Sequence, residues 1–144
     1  MRCLAMMLMC FLSLSAVAAE YAKPNRQETF GDVTVYYNAF ASSTLSREVA
    51  AASDLIRSKE LSVLNITVLK AGKPTPSTVT GTYQDLTGRP QPLTFKQVTD
   101  KGWLSYIAQF PVKQAETYTF NIDVKAGNEA NHSLSFNQEL YPGE

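Results

Sequence analysis

Any reaction centre in this sequence would have to be assembled around one imidazole. His132 is the only histidine, and both cysteines, Cys3 and Cys10, lie at the extreme N-terminus. Zinc sites need three or four such ligands, so the rest of the chain lacks the donors for one. A serine triad would need His132 as its base, yet no Gly-x-Ser-x-Gly elbow accompanies it. Flanked by Asn131 and Ser133 at the start of a strand-like run, it reads more simply as a solvated side chain. The carboxylates Asp85, Asp100, Glu116, Asp123 and Glu129 are scattered over turns and outward positions. They read as surface acids rather than as the paired acids of a glycosidase. No glycine-rich phosphate loop occurs. Asn65-Ile66-Thr67 and Asn131-His132-Ser133 match the N-glycosylation pattern, which matters only in a eukaryotic source. The expectation is a chain that is not an enzyme and that carries no cofactor and no metal.

Three clusters are better suited to recognition. They are Tyr36-Tyr37-Asn38-Ala39-Phe40, Arg57-Ser58-Lys59, and Phe136-Asn137-Gln138-Glu139-Leu140-Tyr141. Aromatic residues usually belong to a core, but strand alternation forces a choice. If Val35 and Tyr37 point inward, then Tyr36, Asn38 and Phe40 point outward. Exposed aromatics beside an amide and a basic pair are the usual material of a binding surface. Tyr36, Asn38, Phe40, Arg57 and Lys59 are therefore the candidate binding residues. Two readings of Tyr36 stay open: exposed on an uncovered face, or packed beneath a following helix.

The elements that position these residues are mostly strands. Val33, Val35 and Tyr37 alternate with polar partners, which predicts a long first strand over 30–40 with a bend or bulge at Gly31-Asp32. Residues 45–55 break that period. Ser46 is a candidate N-cap, Glu48 sits in the first turn, and Val49-Ala50-Ala51-Ala52 favours helix. So short a helix must lean on a sheet. Further strands are predicted over 61–70, 78–86, 93–98, 103–110, 117–125 and 132–140, separated by turn signals such as Asp100-Lys101-Gly102. The expected core includes Val35, Tyr37, Leu64, Ile66, Val68, Tyr106, Ala108, Phe110, Tyr118, Phe120 and Ile122. Without βαβ alternation, the pattern predicts an all-β, antiparallel two-sheet sandwich of immunoglobulin or fibronectin III type, with one short helix after the first strand. A small β-barrel is the alternative.

The N-terminus sets the compartment. Arg2, an apolar run from Cys3 to Leu14, and Ser15-Ala16-Val17-Ala18-Ala19 have the layout of a cleavable secretory signal. Small residues fit cleavage before Glu20 or before Ala19. The run is shorter than the roughly 20 apolar residues of a membrane span, and Met9 before Cys10 argues against lipoprotein processing. The expected organisation is a signal peptide over 1–19, a polar leader over 20–26 and one domain over 27–144. Both cysteines leave with the signal, so the mature chain would hold no disulfide. The sequence has 13 basic and 13 acidic residues without a run of either sign, which offers no electrostatic grip on nucleic acid or anionic lipid.

Two resemblances follow from particular residues. Phe110-Pro111-Val112-Lys113-Gln114-Ala115-Glu116-Thr117-Tyr118-Thr119-Phe120-Asn121-Ile122-Asp123-Val124 resembles the E–F corner and F strand of a fibronectin III domain. That implies a tyrosine corner, with the Tyr118 hydroxyl folded back onto Pro111–Gln114. More broadly, several segments together resemble the bacterial domain-of-unknown-function family numbered 4426. They are Tyr36 to Phe40, Arg57 to Lys59, Asn65 to Val68, Val79-Thr80-Gly81, Tyr106 to Val112 and Gln138 to Pro142, with the signal peptide. The resemblance implies a periplasmic protein with a compact β fold and transfers no catalytic residue. The functional expectation is a non-catalytic periplasmic binding or accessory module that contacts another envelope protein. A small-ligand carrier with a pocket between the sheets is the alternative, and an enzyme comes last.

Overall fold

Two antiparallel sheets face one another in a computed structural model that describes residues 26–143. The chain forms β1 (Gln27–Phe30), β2 (Val33–Ala41), a 3-10 turn (Ser42–Thr44), helix α1 (Arg47–Ala52), β3 (Leu61–Lys70), β4 (Lys73–Pro74), β5 (Ser77–Gln84), β6 (Gln91–Leu93), β7 (Lys96–Asp100), β8 (Trp103–Pro111), β9 (Glu116–Ala126) and β10 (His132–Leu140). Sheet one has the order β1-β2-β3-β8-β7, with β4 against the end of β3. Sheet two has the order β10-β9-β5-β6. The sheets are open, so this is the expected sandwich and not a barrel. The expected signal peptide over 1–19 and residues 20–25 of the expected leader lie outside the described part of the chain.

Two expected strands divide. Phe30 pairs with Val33, so Gly31-Asp32 is a complete two-residue hairpin turn rather than a bend or bulge. Gly31, with φ of 62°, takes the positive angle that such tight hairpin turns require. The run expected over 93–98 splits because the chain changes sheets: β6 pairs β5, whereas β7 pairs β8. Residue alternation reports which way a side chain points, not which sheet its strand has joined.

The helix is short, as expected, and begins where the sequence placed it. The Ser46 side chain accepts from the Val49 N–H at 3.2 Å and Glu48 occupies the first turn. It ends where Asp54 adopts φ of 53° and the Leu55 N–H closes onto the Ala50 carbonyl at 2.8 Å. A left-handed residue of this kind is a common way for a helix to stop.

Between the sheets runs a ladder of rings. Tyr83, Phe110, Phe120, Phe136 and Tyr37 follow one another with successive centroid separations of 5.0, 5.4, 5.0 and 4.0 Å. Phe110 and Tyr37 belong to sheet one and the others to sheet two, so the ladder ties the layers together. Every residue of the expected core is buried except Tyr37, which is half-buried against it.

The tyrosine expectation needs correcting. Tyr118 is buried, but its hydroxyl makes no hydrogen bond to Pro111–Gln114; burial, then the nearby Glu116 and Asp85, raise its pKa. The corner is held instead by the Val112 N–H, which donates to the Glu60 carbonyl at 2.8 Å. The tyrosine that does bind backbone is Tyr106 on β8. Its hydroxyl accepts from the Ser77 N–H at 2.6 Å, where β5 begins in the opposite sheet. Tyr106→Phe should therefore cost about 1–2 kcal/mol, because it strands a part-buried donor. Tyr118→Phe should stay within about 0.5 kcal/mol at neutral pH. Urea denaturation of both variants checks the assignment, and the reverse ranking would overturn it.

Candidate functional site

The outer face of sheet one is where the fold leaves side chains available. Pairing partners in an antiparallel ladder share a face. Tyr36 therefore stands beside Gln27 and Thr67, Asn38 beside Asn65, and Phe40 beside Val63. Across β8 and β7 the same face carries Gln109, Ile107 beside Lys96, Ser105 beside Val98, and Trp103 beside Asp100.

A strap formed by residues 42–60 crosses this face and divides it. Its two ends are joined through Ser42, which is fully buried. The Ser42 hydroxyl donates to the Ser58 carbonyl at 3.0 Å and accepts from the Ser58 N–H at 2.9 Å. Farther along, the Gln109 amide brackets Ile56, donating to its carbonyl at 2.7 Å and accepting from its N–H at 3.2 Å. Lys96 Nζ reaches the Asp54 carbonyl at 3.0 Å and its carboxylate at 3.1 Å. Val63 is completely buried although it points away from the main core. Ala50 and Leu55 are the buried apolar residues that the strap contributes.

The strap goes to the β8–β7 side, so the helix does not cover Tyr36. That ring is 37% exposed, Asn38 is exposed and Phe40 is half-buried. Opposite Asn38, the Asn65 Oδ1 atom is buried without a hydrogen-bond partner. The five sequence-derived residues do not form one cluster. Arg57 Nη2 donates to the Ser43 carbonyl at 3.3 Å and so helps hold the strap. The Lys59 carbonyl accepts from the Gly143 N–H at 2.8 Å, which ties down the C-terminal tail. Phe40 lines a shallow groove of about 510 Å³ with Ser43 and residues 138–143. Phe40, Arg57 and Lys59 thus gather at the Ser43–Gly143 end, whereas Tyr36 and Asn38 remain along the open strand.

Sequence reasoning missed the more concave surface. Helix α1 and strands β7 and β8 enclose a groove of about 660 Å³, lined by Val49, Ala52, Val98, Trp103 and Ile107, with Glu48, Asp100 and Lys101 also lining it. Trp103 is 55% exposed and Val49 49%. The available signal was the position of Trp103 directly after the Asp100-Lys101-Gly102 turn, on the outward period of β8. Using it required knowing that the helix would lie over that strand.

Chemically reactive groupings are sparse here. His132 stacks on Phe30 with ring centroids 4.6 Å apart, while Ser133 donates to Asp123 instead of to an imidazole. A polar cleft of about 230 Å³ contains Tyr83, Asp85, Arg89 and Tyr118. Burial foremost raises the pKa of both tyrosines, and the Thr87 hydroxyl and N–H hold that of Asp85 down. Among the described residues, no three His, Cys, Asp or Glu side chains converge as metal ligands. Nor is any helix there long and apolar enough to cross a membrane.

Comparison with solved structures gives a similar protein at 43% identity, a DUF4426 family protein from Pseudomonas aeruginosa PAO1. The match has a TM-score of 0.78 and covers 83% of this chain and 97% of that one. The fold is also similar to that of FetP from uropathogenic Escherichia coli strain F11. A copper-bound variant of FetP matches at 15% identity with a TM-score of 0.62, covering 83% of this chain and 97% of that one. The as-isolated protein matches at 13% identity and 0.59, covering 82% and 94%. No curated protein matches the sequence. The family description "Domain of unknown function (DUF4426)" matches residues 27–143, from the first strand to the C-terminal tail, and the chain belongs to that family.

Proposed function

We propose that this protein is a non-catalytic binding or accessory module of the bacterial periplasm that contacts another envelope protein. The observation that carries this reading is the Trp103 groove: a half-exposed indole against a strand face, with aliphatic walls and a charged margin. Such indoles, set in apolar recesses, are typical anchors of protein interfaces. Tyr36, exposed on the same face beyond the strap, extends the surface. The N-terminal signal pattern supports the compartment.

The copper of FetP does not transfer on donor chemistry. All four methionines and both cysteines of this sequence precede residue 11, leaving His132 as the one soft or imidazole donor beyond them. The carrier alternative needs space between the sheets, and the aromatic ladder occupies that space at Phe110 and Phe120.

Crosslinked capture from the native host's periplasm, read by mass spectrometry, tests the proposal with wild type, Trp103→Ala and Tyr36→Ala. Trp103→Ala should reduce recovery of the specific partner at least about tenfold, the scale of an interface anchor. Both substitutions should change stability by no more than about 1 kcal/mol, because the rings are substantially exposed. Recovery unchanged by either substitution would refute the assigned surface.

A further inference from the structure

The edges of the two sheets are protected unequally. Unpaired strand edges invite another strand, and proteins usually blunt them with brevity, proline, lysine or a covering segment. β1 has only 4 residues and includes Glu28. β6 has 3 and includes Pro92. β7 begins at Lys96, ends at Asp100 and is followed by Lys101. The part of β2 beyond the reach of β1 is capped by Gln138, whose Nε2 donates to the Ala39 carbonyl at 2.9 Å. β10 is less protected: it is long, and its only cover is Glu139 and β2 of the other sheet, which lies against part of it. It pairs with β9 through all 9 of its residues, contains neither proline nor lysine nor arginine, and makes no backbone hydrogen bond on its other side.

Its outward side chains are also unequally committed. Ser133 is taken by Asp123, and Asn137 Oδ1 accepts from Thr119 at 2.8 Å. Ser135 and the amide nitrogen of Asn137 make no side-chain hydrogen bond among the described residues and lie on either side of Phe136. We infer that the partner of β10 is β10 of a second copy, paired antiparallel about a two-fold axis at Phe136. In that register Ser135 faces Asn137 of the second copy, and Asn137 faces its Ser135. Each free amide then donates to a free hydroxyl, twice by symmetry. Glu139, the only carboxylate of the strand, faces Ser133 of the other copy, so no like charges meet. Residues 132, 134, 136, 138 and 140 keep their inward direction, and the two 4-stranded sheets become one continuous sheet. The half-buried rings of Phe30, Tyr37 and Phe136 lie along this margin of the sandwich.

The test uses the full chain, exported and purified from a bacterial envelope. Sedimentation equilibrium from about 1 to about 100 μM brackets the micromolar range in which a single strand pairing would act. It should reveal a monomer–dimer equilibrium. In parallel, amide hydrogen exchange over 132–140 should slow with rising concentration, while exchange over 91–100 stays constant. The double variant Ser135→Lys with Asn137→Lys places like charges opposite one another and should weaken dimerisation at least about tenfold. Its melting temperature in dilute solution should fall by no more than about a few degrees, the scale of losing the exposed Thr119–Asn137 hydrogen bond. A monomer at every concentration would overturn the inference, and would leave a foreign strand as the candidate occupant of the edge. A dimer whose β10 exchange ignores concentration would overturn it as well. Because the readout never involves Trp103, failure here is distinct from failure of the proposed function.

Discussion

Phe120→Ala is expected to lower the free energy of unfolding by about 3–5 kcal/mol, the range for truncating a fully buried phenylalanine. The reason for placing it at the upper end is position. Phe120 is fully buried, pairs across β9 with Phe136 on β10 and Tyr83 on β5, and meets Phe110 of the opposite sheet edge-on at 5.4 Å. Removing it interrupts the ladder at the ring that connects the layers. Neighbours held in two hydrogen-bonded sheets cannot collapse into the void, so cavity cost adds to lost transfer energy. Phe120→Leu should recover a large part of the loss. Urea unfolding monitored by Trp103 fluorescence and by far-UV dichroism provides the measurement. A loss below about 1.5 kcal/mol would mean that the ladder is not a stabilising unit.

Ser42→Ala should cost about 1–3 kcal/mol despite removing a single oxygen, because it leaves the part-buried Ser58 N–H without a partner and takes one of two donors from the Ser58 carbonyl, which keeps only the Leu61 N–H at 3.4 Å. The expected lesion is local first. The strap should open before the sandwich does, so amide exchange over 42–60 should accelerate more than exchange in β3, β8 or β9. The Trp103 groove should loosen with it, since its helical wall belongs to the strap. Ser42→Thr tests size against chemistry: the hydroxyl is retained but an added methyl has no room. If Ser42→Ala unfolds at the wild-type midpoint and exchanges at wild-type rates, the strap is anchored elsewhere, at Gln109 or Lys96.

The repeating parts of the fold were legible in the sequence because they depend on local period. The alternation from Val33 to Tyr37, the inward set on β9 and the Ser46 cap follow from neighbouring residues and sit where those residues imply. What failed involved partners distant in sequence. The crossing between β6 and β7, the route of the strap and the choice of Tyr106 over Tyr118 as the backbone-binding tyrosine all depend on which strand lies opposite. Tyr36 and Asn38 could be identified as outward from alternation alone. The groove at Trp103 could not, because one wall comes from α1 and the rest from β7, β8 and the turn between them, about fifty residues later. Arg57 and Lys59 illustrate the converse: charged side chains suggested recognition, while the structure uses the guanidinium of one and the carbonyl of the other to secure chain segments.

The order of strands also constrains the order of events when the chain is made. β3 must wait for β8 to supply its second neighbour, with Leu61 paired to Pro111, and sheet two has no centre until β9 arrives to receive both β5 and β10. A growing chain that stops before Glu116 therefore holds every strand of sheet one but only the β5–β6 hairpin of sheet two, so the inner apolar face of sheet one is largely unmatched. Such distant pairings close slowly, over milliseconds to seconds in comparable all-β domains. The core between the sheets therefore closes only once β9 and β10 have been made.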